Sequence, residues 1–217
     1  MRALLEPFGF QFFRNGLAVA TVAGALCAVV GVFVVLRGMS YIGHGLSHAI
    51  FGGAAASFVA DINFYLGAGV WGLVSALMIH RVARRRTIGA DAAIGVITTA
   101  SFAAGVVLIS RHRSFTRNFE AILFGNVLGV TRADVLAVGV VALLVSAIIF
   151  VRYRALLYVT FDPEVAQISG VRTRRVDALL ALVLAASILA TMRVLGVTLI
   201  VAALVIPAVV SRMLTDR

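Results

Sequence analysis

Seven apolar stretches, most of them closed by arginine, run through this chain. They are 16–36, 42–60, 64–79, 92–110, 133–151, 178–192 and 194–210. A helix needs about 20 residues to cross the hydrocarbon of a bilayer. In lipid a helix is one of the few structures that satisfies its own backbone. The pattern therefore predicts an all-α fold, a polytopic transmembrane helical bundle of seven spans, with residues 1–217 as one domain. Only 13% of the residues are charged, against about 25% in a soluble domain. Arg193-Val194-Leu195-Gly196 alone separates the last two stretches, so these form a tight hairpin.

The net charge of +10 would suggest nucleic acid in a soluble protein. Here the apolar fraction excludes nucleic acid as the default partner and makes it the lipid bilayer. All 19 basic residues are arginine. If the loop after the first span faces the cytoplasm, Arg37, Arg81, Arg84–86, Arg152, Arg154, Arg172, Arg174, Arg175, Arg212 and Arg217 fall inside. Arg2, Arg14, Arg111, Arg113, Arg117, Arg132 and Arg193 fall outside. The excess of inner arginines sets that orientation and puts the N-terminus outside. Cys27, the one cysteine, reads as a packed residue. Residues 1–14, with Phe8, Phe10, Phe12 and Phe13, lack the order of a cleaved signal peptide and read as an interfacial lead-in. Residues 116–130 have the apolar spacing of a short amphipathic helix. It lies at the outer interface or dips in beside the fourth span.

His44 and His48 stand four residues apart in the second stretch. On a helix they share a face, about 6 Å apart along the axis, where two imidazoles can hold one divalent ion. Ionisable groups at membrane depth are costly and usually functional. Satisfied structural histidines are the other reading. The surrounding Gly43, Gly45, Ala49, Gly52, Gly53, Ala54, Ala55 and Ala56 allow close backbone approach. That suits a tightly packed central helix or one beside a pathway. Ser47 points about 100° away from His48.

Between the fifth and sixth stretches, residues 161–171 carry the marks of a short helix. Asp162 suits the N-cap, Pro163 the first helical position, Glu164 the positive dipole end and Gly170 the C-terminal stop. Val165 and Ile168 share one face. The element reads as a headgroup-level surface helix or as a dock for a cytoplasmic partner, since an apolar face in a partner's groove is a common recognition mode.

The remaining polar residues have plain expectations. His80 and His112 are solvated at span ends. Asp61 and Asn63 form a polar turn or an outer rim. Asp91 is an N-cap, and Pro207 kinks the last span, with gating as a sharper reading. Without lysine no phosphate-binding Gly-x-x-x-x-Gly-Lys-Ser/Thr loop exists, so any ATP is hydrolysed by another chain.

The ordered set of segments resembles the permease subunit of bacterial ABC importers of divalent metals, the zinc/manganese/iron ABC-3 group. It is carried by 34–49 (VVLRGMSYIGHGLSHA), by Ile94-Gly95-Val96 with 105–110, by 123–128 (LFGNVL), by Phe161-Asp162-Pro163-Glu164-Val165-Ala166 with Ser169-Gly170-Val171, and by 205–212 (VIPAVVSR). The resemblance implies a non-catalytic, multi-pass subunit of a bacterial inner membrane. Two permease copies form the pathway, an ATP-binding subunit powers it, and an extracellular or periplasmic metal-binding protein delivers Zn2+, Mn2+ or iron. No cofactor is held permanently. It implies that residues 161–171 are the ATPase-coupling helix, with Phe161, Asp162, Glu164, Val165, Ala166, Ile168 and Gly170 at the contact. His48 matches the family histidine. His44 stands where the family has Asp, which favours nitrogen-preferring zinc over manganese or weakens the site. Family chains usually continue past the Pro207 segment, so this one is expected to be a short or truncated member. The alternatives are a stand-alone secondary metal transporter, disfavoured by spans without acidic residues well inside them, and an intramembrane enzyme using Ser47 and His48.

Overall fold

A computed structural model describes residues 6–83, 90–111 and 123–215. A 3-10 turn at Glu6–Gly9 leads into α1 (Gln11–Leu36), α2 (Ser40–Val59), α3 (Phe64–Ala83), α4 (Ala90–Ser110), α5 (Arg132–Phe161), α6 (Pro163–Ile168) and α7 (Thr173–Met213). Phe8 packs edge-on against Phe13, and Phe8, Phe10 and Phe12 are exposed, as suits an interfacial lead-in. His112, Arg84–86 and residues 116–122 lie outside the described residues.

The bundle is built around α2, which packs against α3, α4 and α7. Phe51, Leu46 and Ile50 of α2 are among the largest fully buried side chains. Helices α1, α3, α4, α5 and α7 are each long and apolar enough to cross a membrane. Helix α2 carries His44, Ser47, His48 and Ser57, and its shielding comes from the helices around it.

Helix α7 spans 41 residues, but Gly196 has φ 73° and ψ 162°, outside helical space. Asp177 bonds Arg37, while the Leu204 backbone lies against Gly31. In a straight helix Asp177 and Leu204 would be about 40 Å apart, yet their partners on α1 are about 9 Å apart. The run therefore reverses at Gly196 into two arms, which is the hairpin expected from the sequence. With these arms counted separately, a helix stands at each of the seven expected stretches, although among the described helices only α1, α3, α4, α5 and α7 are long and apolar enough to be span candidates. Pro207 sits within the second arm, and the departure from helical backbone is at Gly196 instead.

Helix α1 starts at Gln11, inside the expected lead-in, α3 runs on to Ala83, and three further boundaries differ from expectation. Helix α5 continues past Val151 through Arg152 and Arg154 to Phe161. Arginine ends a hydrocarbon segment, not a helix. The stop comes from Pro163, which disfavours helical backbone in the residue before it, and Asp162 is extended (φ −147°, ψ 89°). Asp91 falls inside α4, which has begun at Ala90, so it is not an N-cap. From Gly125 the 116–130 segment is irregular, and it lies against the α7 break. The Asn126 N–H donates to the Arg193 carbonyl (3.1 Å), and the Thr198 hydroxyl donates to the Leu123 carbonyl (2.9 Å). Non-helical backbone within a membrane protein needs protein to cover it or bond it, and residues 123–126 pack directly on the break.

At the same end of the bundle, Asp134 joins three helices. It accepts from Tyr65 of α3 (3.0 Å) and from Arg193 of α7 (2.7 Å). It also closes a capping box with Thr131 at the start of α5. The Arg193 guanidinium lies 5.7 Å from the centre of the Tyr65 ring, in cation–π range.

Candidate functional site

Most of the small residues of α2 are consumed by packing. A Cβ on Gly45 would meet Ile94 and Thr98 of α4, one on Gly52 the Ser101 carbonyl of α4, and one on Gly53 Trp71 and Gly67 of α3. Gly43 lies under Leu204 of α7. This is the tight-packing reading of the cluster. It leaves one stripe of the N-terminal half of α2 open, at Tyr41, His44 and His48, spaced i, i+3, i+7 on a single face.

His44 is exposed and His48 half-buried. Their ring centroids are 4.5 Å apart with planes at 75°. Tyr41 flanks His44 at 6.0 Å, and Phe102 of α4 meets His48 edge-on at 5.1 Å. Phe102 also stacks near Phe51, so an aromatic wall closes the stripe at its deeper end. The structure thus brings both predicted histidines side by side. Among the described residues no third His, Cys, Asp or Glu joins them to form a metal-holding group. A site with two ligands from one chain leaves coordination positions for water or for a second chain.

Ser47 faces elsewhere. It is fully buried, donates to the His44 carbonyl (2.8 Å) and points at the Val197 carbonyl (3.5 Å), one residue past the break. It therefore stitches the histidine helix to α7 and does not form a dyad with His48. Asp61 takes a left-handed turn conformation (φ 53°), and Asn63 accepts from the Tyr65 N–H, the polar turn of the two readings. His80, expected in solvent, is half-buried and lines a cavity beside Arg37.

The predicted short helix is present as α6. Its Asp162 side chain accepts from the Glu164 and Val165 N–H groups (3.1 and 2.9 Å), with Pro163 in the first turn. Gly170, at φ +80°, ends it. Val171 N–H reaches the Ala166 carbonyl and Gly170 N–H the Gln167 carbonyl, the paired bonds of a Schellman stop. Ala166 is buried against the bundle, whereas Phe161, Val165 and Ile168 are exposed, Ile168 at 87%. The element holds its shape by local capping and presents an apolar edge outward.

Tyr41 and Phe102 were missed in the sequence because aromatic residues are common throughout the spans. Thr131-x-x-Asp134 was a readable capping signature. The Asp134–Arg193 pair was not readable, since 59 residues separate its members.

A family model described as "ABC 3 transport family" matches residues 9–217. Manganese transport system membrane protein MntC of Halalkalibacterium halodurans is 36% identical over 212 residues, covering 98% of this chain and 73% of that protein. Manganese import system permease protein ScaB of Streptococcus parasanguinis is 41% identical over 202 residues, 92% of this chain and 71% of that protein. Chelated iron transport system membrane protein YfeC of Yersinia pestis is 31% identical over 217 residues, 100% of this chain and 74% of that protein. Among solved structures, "PsaBC from Streptococcus pneumoniae in complex with Fab" aligns with a TM-score of 0.84 at 34% identity, covering 96% of this chain and 75% of that one. The chain belongs to the ABC 3 transport family, as a multi-pass membrane permease.

Proposed function

We propose that this chain forms the membrane pathway of an importer of divalent transition-metal ions, with ATP hydrolysed by a separate ATP-binding subunit. The open Tyr41–His44–His48 stripe on the N-terminal half of α2 carries the reading. An exposed imidazole within a spanning helix needs water or a second chain beside it. Two permease copies facing each other across this stripe would provide both. Manganese and iron, named for the relatives, are the first candidates. Zinc is the ion that the extra imidazole of His44 would favour. An extracellular or periplasmic binding protein delivers the ion to the outer side, where Arg193 and Asp134 lie.

Helix α6 is the dock for the ATP-binding subunit, on the inner side. Its exposed Val165 and Ile168 fit a groove on the partner, with Phe161 beside them and Glu164 on the rim. The described acidic residues support a separate energy source. Asp134 and Asp177 are ion-paired near helix ends, and neither sits at mid-span, where a coupled ion would titrate it.

Uptake of manganese, iron and zinc by proteoliposomes holding the whole complex tests both parts. His48→Ala should reduce uptake roughly tenfold or more while the ATP-binding subunit stays bound. Glu164→Arg with Ile168→Asp should release that subunit. Normal uptake in His48→Ala would remove the pathway site, and undisturbed association in the α6 variant would remove the dock.

A further inference from the structure

Arg37 is an arginine where the bundle has little use for one. It ends α1, and its side chain is 91% buried. Its Nη1 donates to Asp177 Oδ1 (2.8 Å), and its Nε donates to Thr160 Oγ1 (3.0 Å). Thr160 is in the last turn of α5, and Asp177 is the fifth residue of α7. These are the two legs from which α6 hangs. Arg37 therefore grips both legs at once. On its other side the chain turns at Gly38 (φ +65°) directly into α2, and His44 follows only seven residues after Arg37.

Stability is a poor reason for this arrangement. Replacing a buried ion pair by apolar residues is often neutral or stabilising. The third nitrogen, Nη2, is buried and has no hydrogen-bond partner among the described residues. Arg37 also lines a cavity of about 430 Å³, together with His80, Ile42 and Pro163. The grip is thus incompletely satisfied, and it has room to move. These are features of a joint and not of a rivet.

We propose that Arg37 is a positioning residue that passes displacement of the α6 legs to α2, and so to the His44–His48 face. The proposal rests on reading α6 as the dock of the ATP-binding subunit. Displacing α6 must move Thr160 and Asp177. Arg37 converts that movement into a shift of the α1–α2 turn, three residues long with Arg37 as its first. A loop that merely connected helices would let α6 move without disturbing α2.

The test measures Mn2+ uptake and ATP hydrolysis in the same proteoliposomes containing permease, ATP-binding subunit and binding protein. Arg37→Gln should leave the complex assembled and hydrolysis within about twofold of wild type, while Mn2+ transported per ATP falls roughly tenfold. Arg37→Lys, which keeps the charge but not the fork, should recover part of that ratio. Thr160→Val and Asp177→Asn should each lower the ratio and add little to Arg37→Gln, because all three act through one joint. An unchanged ratio in Arg37→Gln would overturn the proposal, as would uptake and hydrolysis falling in parallel. Should Arg37→Gln fail to assemble, Thr160→Val, nearly isosteric, decides: an unchanged ratio there overturns the proposal equally. Loss of the dock reading is visible separately, as intact association in Glu164→Arg with Ile168→Asp.

Discussion

Two glycines, 71 positions apart, meet backbone to backbone. A Cβ on Gly196 would strike the Leu123 carbonyl and the Phe124–Gly125 peptide, and one on Gly125 would strike the Val194–Gly196 backbone. Both residues have positive φ, so a side chain costs conformational strain as well as overlap. Gly196→Ala should destabilise the protein by about 2–5 kcal/mol, seen as a lower unfolding temperature in detergent. Gly139→Ala, where nothing lies within 4 Å, is the matched control and should be neutral. If the Tyr41–His44–His48 stripe carries the ion as proposed, His44→Asp, which exchanges an imidazole for a carboxylate, should move the uptake preference from zinc toward manganese. Competition uptake with the two ions measures this, and an unchanged ratio would remove His44 from selectivity. The glycine contact was illegible in the sequence because each partner explains the other. His44 and His48 were legible because their spacing of four is itself a geometric statement.

Elements whose causes are local could be read in advance, and those with distant causes could not. Helix α6 follows from Asp162, Pro163 and Gly170, all within or beside it, and its observed bounds agree with its signals. The length of α5 was misjudged because charge was taken for a stop signal, while no proline or glycine interrupts 140–162. The break in α7 depends on residues 123–126, and a proline in the same run drew the expectation of a kink away from it. Because α6 is only six residues long, its cap carries much of its order. Asp162→Ala removes the acceptor for two N–H groups and should cost about 1 kcal/mol locally. Hydrogen exchange should then quicken at Glu164 and Val165 while the core amides of α5 keep their protection. Unchanged exchange at both positions would mean that docking contacts, and not the cap, order the helix.

At the scale of the whole molecule, enclosure is uneven. Helix α2 packs against α3, α4 and α7, while Tyr41 and His44 on its histidine stripe stay exposed and His48 is half-covered by Phe102. If two copies face each other there, His44→Cys should form an inter-chain disulfide under mild oxidation. Cys27 is 1% exposed and should stay reduced, so the native chain is its own control. A crosslink from an outward position such as Phe150→Cys (Phe150 is 83% exposed), with none from His44→Cys, would place the partner elsewhere. The chain spans about three quarters of its relatives' length, and the stripe, the dock and the break all lie within that shared portion.

The reversal at Gly196 also has a meaning for biosynthesis. The two arms of α7 are separated by a single residue, so there is no polar loop to emerge on the far side between them. The first arm cannot finish crossing and wait for the second. The two must enter the bilayer together as a closed pair. Leu123–Asn126 is made some seventy residues earlier, so the surface that receives the turn is synthesised before the turn itself. Chain order therefore matches assembly order, and the non-helical backbone of the turn finds its cover already made.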